Sequence, residues 1–175
     1  GNTKTLNKYQ GFVDTVVKEV IDRTGNDPAT TSMVIYTTLD TERQDVIEGI
    51  YNGDTYTWKN DIVQAAMAVI DVNDGSIAAI GAGRNKKTER SLNYATWINR
   101  HPGSTAKPIF DYGPAIQYLN WSTGQTIIDE KYSYTGGGSI KNWDNRFKGL
   151  MTIQDALAQS RNIPAVYTFQ QLSQD

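Results

Sequence analysis

At 175 residues the chain has room for one ordinary domain, or for a small module and part of a larger one, and it can bury a core. Hydrophobic residues at 38% and charged residues at 21% exclude a disordered chain; a net charge of -2, with basic residues clustered only briefly at Lys86, Lys87 and Arg90, gives nucleic acid little to hold. The absence of cysteine removes disulfides, thiolate metal sites and a cysteine nucleophile, and no run approaches the ~20 apolar residues that cross a bilayer.

From Tyr9 to Arg23, apolar side chains at Phe12, Val13, Val16, Val17, Val20 and Ile21 recur at spacings of three and four, which predicts an amphipathic helix stopped by Gly25 to Pro28. Met33 to Leu39 is rich in β-branched residues and reads as a strand; Asp40 or Thr41 then caps a short helix through Val46, Ile47 and Ile50 to Gly53. A loose boundary falls at Thr55 to Asp61. Gln64 to Val72 and Ser76 to Ala82 flank Asp74-Gly75, a hairpin turn signal, and their nearly continuous apolar character predicts antiparallel strands in a central layer covered on both faces.

Pro102-Gly103 breaks the chain before a helix predicted from Ser104 to about Tyr118, with Pro108 confined to its first turn. Asn120 to Phe147 reads as a long polar loop bordering a site. Thr152 and Asp155 form a capping-box pattern ahead of a helix, and Pro164 opens another. Ser160-Arg161-Asn162 lies between these two helices.

Residues three apart on a helix share a face, so the Ser104 hydroxyl and the Lys107 amine can approach one another. A serine needs a base to become a nucleophile, and lysine serves when burial and the positive helix terminus lower its pKa; free N–H groups of the same terminus can steady an oxyanion. The competing reading is a capped helix with an exposed lysine. Ser-x-Asn occurs twice, at Ser91-Leu92-Asn93 and at Ser160-Arg161-Asn162.

Asn93 to Thr96 and Arg100 through Pro108 closely resemble the nucleophile region of bifunctional (class A) penicillin-binding proteins, whose signature joins Ser-x-x-Lys to a second Ser-containing triad and Lys-Thr-Gly. Similar to that family, too, are Ala68 to Asp71, Gly81 to Arg84, Asn142-Trp143 and Ala156 to Ala165. Tyr36 to Asp40 with Gln44 looks like the linker preceding its transpeptidase domain. The resemblance implies an α/β (α+β) penicillin-binding/serine β-lactamase-like fold, with a linker region over 1–60 and the N-terminal part of a transpeptidase domain over 61–175. It implies that Ser104 is acylated by a D-Ala-D-Ala stem peptide or a β-lactam, that Lys107 takes its proton, that Ser160 relays it, and that Asn162 holds Lys107 and the substrate amide. Because the family's second motif follows the nucleophile, Ser91-Leu92-Asn93 is then the decoy.

Lys-Thr-Gly occurs nowhere in the sequence, so the expectation is a domain truncated before that motif and completed by its own C-terminal remainder. The start at Gly1-Asn2-Thr3, without an initiator methionine, reads as a processed piece, which permits a membrane anchor upstream and an extracytoplasmic location. Trp143, Tyr132 and Tyr134 are candidates for lining a peptide cleft. Lone His101 fits a loop, and Asp71, Asp74, Asp129 and Glu130 fit solvated turns, so neither metal nor cofactor is expected. A serine β-lactamase or β-lactam sensor, and a noncatalytic interaction module, remain alternatives.

Overall fold

The apolar stripe of the first segment folds as α1 (Gln10–Thr24), ended by Gly25 at φ 71, whose N–H reaches Ile21 O at 2.8 Å. In the computed structural model, residues 6–133 and 136–172 are described, and the chain divides into two compact units, residues 1–99 and 100–175.

In the first unit, α2 (Thr41–Asn52) begins where predicted, with the Asp40 carboxylate accepting the Arg43 N–H at 3.0 Å. Strands β1 (Met67–Ile70) and β2 (Ile77–Gly81) pair antiparallel, with a register shift between Val69 and Ile70. Between them only Gly75 takes positive φ; its N–H bonds Asp71 O at 2.8 Å, so the turn differs from a tight Asp-Gly hairpin. The small residues of β2 let helices close on both faces, as its composition predicts. Ile80 and Ala82 pack against Phe12 of α1, while Ala79 meets Ile47 and Tyr51 of α2. Gly81 is required there, because a Cβ would lie 2.2 Å from Tyr51 Oη. β1 is less covered, with Ala68 and Ile70 exposed.

The segment Met33 to Leu39 corrects the sequence reading. It forms no ladder among the described residues; Thr38 Oγ1 donates to Ile77 O at 2.6 Å, Asp40 N just beyond the segment donates to Ala78 O at 2.8 Å, and Leu39 packs on the Phe12–Ile80–Ala82 cluster. The edge it fails to pair is met by Gln44. This fully buried amide donates to Ile80 O and accepts from Ile80 N–H, at 2.8 and 2.9 Å, so it imitates a neighbouring strand.

In the second unit the predicted helix over 104–118 is three segments: a 3-10 turn (Gly103–Ala106), a π turn (Lys107–Tyr112) and α3 (Gly113–Tyr118). The supposed polar loop carries β3 (Thr126–Asp129), β4 (Tyr132–Ser133) and β5 (Ser139–Ile140). β3 pairs antiparallel with β6 (Gly149–Thr152), and β4 with β5. Short strands among polar residues leave little apolar alternation to read, which is why the sequence concealed them. Helices α4 (Ile153–Ala158) and α5 (Asn162–Leu172) complete the unit; Thr152 caps α4 by accepting the Asp155 N–H at 3.1 Å. Tyr112, Ile127, Ile153, Ala156 and Ala165 form the core.

Candidate active site

Pro108 decides the local geometry at Ser104. In an α-helix the Ser104 carbonyl would accept from the N–H of residue 108, which proline lacks, so it accepts from Lys107 N–H and the turn tightens to 3-10. Side chains three apart eclipse in a 3-10 turn, which sets Ser104 and Lys107 on one face. The next turn widens instead. Pro114 also lacks an N–H, and Gly113 N–H bonds Pro108 O five residues back; a Cβ on Gly113 would lie 2.6 Å from that oxygen. Such π turns concentrate at functional sites.

Ser104 is exposed, and among the described residues no hydrogen bond joins its hydroxyl to Lys107. Lys107 is 7% exposed, and its Nζ points at the Ser160-Arg161-Asn162 turn. The amine lies 2.8 Å from Ser160 O, 2.7 Å from Asn162 Oδ1 and 3.1 Å from Ser160 Oγ. Burial pushes its pKa down, opposed by the charge of Asp111 one turn on. All three direct neighbours are uncharged. A neutral amine has two N–H donors and a lone pair, so it can serve the carbonyl and amide oxygens and accept from the Ser160 hydroxyl.

The other Ser-x-Asn pattern makes the contrast. Lys86 Nζ lies 2.8 Å from Ser91 Oγ but also 2.9 Å from the buried carboxylate of Asp14, so this lysine, unlike Lys107, has a carboxylate among its direct partners. Asn93 is buried beside α1, where it donates to Thr15 Oγ1 at 3.1 Å. That cluster is packing.

Ser160 is held by the end of α4. Ser160 N–H bonds Leu157 O and Arg161 N–H bonds Ala156 O, both at 2.9 Å, with Ser160 at φ 51. This is a Schellman ending with serine where glycine is usual. A non-glycine residue there costs on the order of 1–2 kcal/mol, and such strain gathers at functional positions. Beneath it, Arg161 is fully buried against Asp129, with Nε and Nη2 both 2.8 Å from Oδ2, and Nη1 reaches Asp144 Oδ2 at 2.9 Å. Asp129 therefore departs from its reading as a solvated loop carboxylate; it is a buried anchor 32 residues before its partner.

The model of the penicillin-binding protein transpeptidase domain matches residues 65–175. The chain belongs to this family. Its relatives include penicillin-binding protein 1A/1B of Bacillus subtilis, 43% identical over 98% of the chain and 18% of that protein. Penicillin-binding protein 1A of Streptococcus oralis is 39% identical over 98% of the chain and 28% of that protein. The chain thus spans 18% and 28% of the length of these two curated relatives. Among solved structures, penicillin-binding protein PonA1 of Mycobacterium tuberculosis superposes with a TM-score of 0.76 over 94% of this chain and 42% of that one, at 21% identity. PonA1 has also been solved in complex with penicillin V.

Of the residues singled out in this chain, the structure brings Lys107, Ser160 and Asn162 into contact and places Ser104 on the same eclipsed face as Lys107. Trp143 is 71% exposed and donates its indole N–H to Gln159 O at 3.0 Å, next to Ser160. Tyr132 stands apart from the lysine. It packs edge-on against Tyr167, hydrogen-bonds Gln170, and lines a separate cavity of about 420 Å³ with Trp121 and Ile163. Tyr134 lies outside the described residues.

Proposed function

We propose that this chain carries the nucleophile and general-base part of a peptidoglycan D,D-transpeptidase, with residues 1–60 as linker and 61–175 as the first part of the transpeptidase domain. The observation that carries the reading is a buried lysine amine held by a serine hydroxyl, a backbone carbonyl and an asparagine amide, with no carboxylate among its direct partners. In this reading the Ser104 hydroxyl attacks the carbonyl of a stem peptide ending in D-Ala-D-Ala. Its proton passes to Lys107, the tetrahedral intermediate collapses to an ester on Ser104, and Ser160 hands the proton to the departing amine. An acceptor amine then takes the acyl group, with the same residues running in reverse.

A β-lactam would acylate Ser104 by the same first step and be held because no leaving amine departs. The carboxylate-binding Lys-Thr-Gly, absent from these 175 residues, would come from protein outside them, for which the greater length of the relatives leaves room. A place on the outer face of the plasma membrane belongs to the same proposal, since that is where peptidoglycan stem peptides would be met; no described helix is long and apolar enough to cross a membrane.

The test is covalent labelling of the full-length protein with a fluorescent penicillin. Labelling that is lost in Ser104→Ala while the fold is retained supports the reading; labelling that persists removes Ser104 as the nucleophile.

A further inference from the structure

Asn142 is 3% exposed and uses its entire amide. Its Nδ2 donates to Asp129 Oδ1 at 2.7 Å and to Arg146 O at 2.9 Å. Its Oδ1 accepts the N–H groups of Asn162 at 2.8 Å and Ile163 at 3.3 Å, the first donors of α5. A helix leaves such N–H groups without internal partners, so one side chain both caps α5 and ties it to the buried Asp129–Arg161 pair.

The neighbouring main chain adds a second hold, because Lys141 O accepts Asn162 Nδ2 at 2.8 Å. With its nitrogen fixed on that carbonyl, the Asn162 amide must turn its oxygen the other way, toward Lys107 Nζ at 2.7 Å. The chain of contacts therefore runs from Asp129 through Asn142 to Asn162 and ends on the lysine amine. An exposed surface asparagine would do none of this.

We propose that Asn142 is a positioning residue for acylation: it fixes the Ser160-Arg161-Asn162 turn and, through Asn162, the direction of the Lys107 amine. The inference rests on the function proposed above. The charged groups facing Asn142 are Asp129 on β3, Arg161 before α5, Asp144 in its own loop, and Lys107 beyond Asn162.

The test uses the full-length protein, a fluorescent penicillin, and the second-order rate of labelling expressed per folded molecule. In Asn142→Ala two helix N–H groups and the Asp129 oxygen lose their partner, and labelling is expected to slow on the order of tenfold to a hundredfold. Asn142→Asp keeps the acceptor but sets a second carboxyl against Asp129, so one of the pair must hold a proton. Its rate relative to the unsubstituted protein should then rise toward one as pH falls and drop as pH rises, a dependence that loss of fold alone does not produce once rates are counted per folded molecule. A folded Asn142→Ala that labels at the unsubstituted rate overturns the proposal, as does a rate ratio for Asn142→Asp that is flat with pH. If Asn142→Ala does not fold, the Asn142→Asp ratio decides. Ser104→Ala runs alongside: persistent labelling there would remove the underlying function, whereas lost labelling there with unchanged Asn142 variants removes this inference alone.

Discussion

Asp111 shows how one charge can work against both stability and the neutral form of a neighbouring amine. Burial raises the Asp111 carboxyl to about 6, with the Lys107 charge opposing, and the Asp111 charge in turn supports the Lys107 ammonium. Because the native state binds the proton more tightly than the unfolded chain, whose carboxyl titrates near 3.8, native stability falls as pH rises from about 4 to about 6 and stays lower above that. Asp111→Asn removes this penalty. The variant should match the natural chain near pH 4 and exceed it near pH 8 by roughly 1 kcal/mol, less than the shift alone implies because the carboxyl is only partly buried and water screens it. Thermal unfolding at the two pH values checks this. The same substitution withdraws a charge that raises the Lys107 pKa, so the acidic limb of the penicillin labelling rate should move to lower pH. An unmoved limb would separate Asp111 from the base.

Among the elements, what could be read from sequence and what could not follows from the range of the interactions. The stripe of α1, the Asp40 and Thr152 caps, and the two-sided cover of β2 are written in neighbouring residues and appear as expected. The Ser-x-x-Lys pattern and both Ser-x-Asn triads were equally visible; the family resemblance, through its motif order, favoured Ser160-Arg161-Asn162, and it is this turn that the Lys107 amine contacts. The 3-10 and π turns were not, because their cause is a hydrogen bond that Pro108 withholds from Ser104 and an N–H that Pro114 lacks, both read only by counting acceptors four back. The segment Met33 to Leu39 has strand composition but joins no ladder among the described residues, and a ladder partner is something composition cannot supply. Pro108→Ala tests the reading of the 3-10 turn. It supplies a second N–H for the Ser104 carbonyl, which here accepts from Lys107, worth at most about 1 kcal/mol, and loosens the unfolded chain by about 0.4–1 kcal/mol, so stability should change little. Relaxation toward an α-helix would carry Ser104 and Lys107 out of eclipse, so labelling should slow by about tenfold at nearly constant melting temperature; an unchanged rate would show that the eclipse is immaterial.

For the molecule as a whole, stability and chemistry converge on one buried charge pair, which joins β3, the loop before β6 and the turn between α4 and α5. Buried ion pairs are often replaced by apolar residues without loss, because desolvation consumes much of their attraction. Asp129 should be an exception. Its two oxygens accept from Arg161 Nε at 2.8 Å, Asn142 Nδ2 at 2.7 Å and Lys148 N–H at 3.1 Å, with Arg161 Nη2 ion-paired at 2.8 Å, so removing the carboxylate takes an acceptor from donors in three parts of the chain. Arg161→Met alone strands a buried carboxylate and should cost about 3–5 kcal/mol, a large share of the roughly 5–15 kcal/mol that holds a domain folded. Adding Asp129→Leu removes that stranded charge but leaves one N–H of the Asn142 amide and the Lys148 N–H unsatisfied, each at about 1–3 kcal/mol, so the double variant should regain little. Urea unfolding of the two single variants and the pair measures the coupling directly. Recovery to the natural midpoint would mean that the pair acts alone and that the hydrogen bonds gathered around Asp129 contribute nothing to the fold of the site.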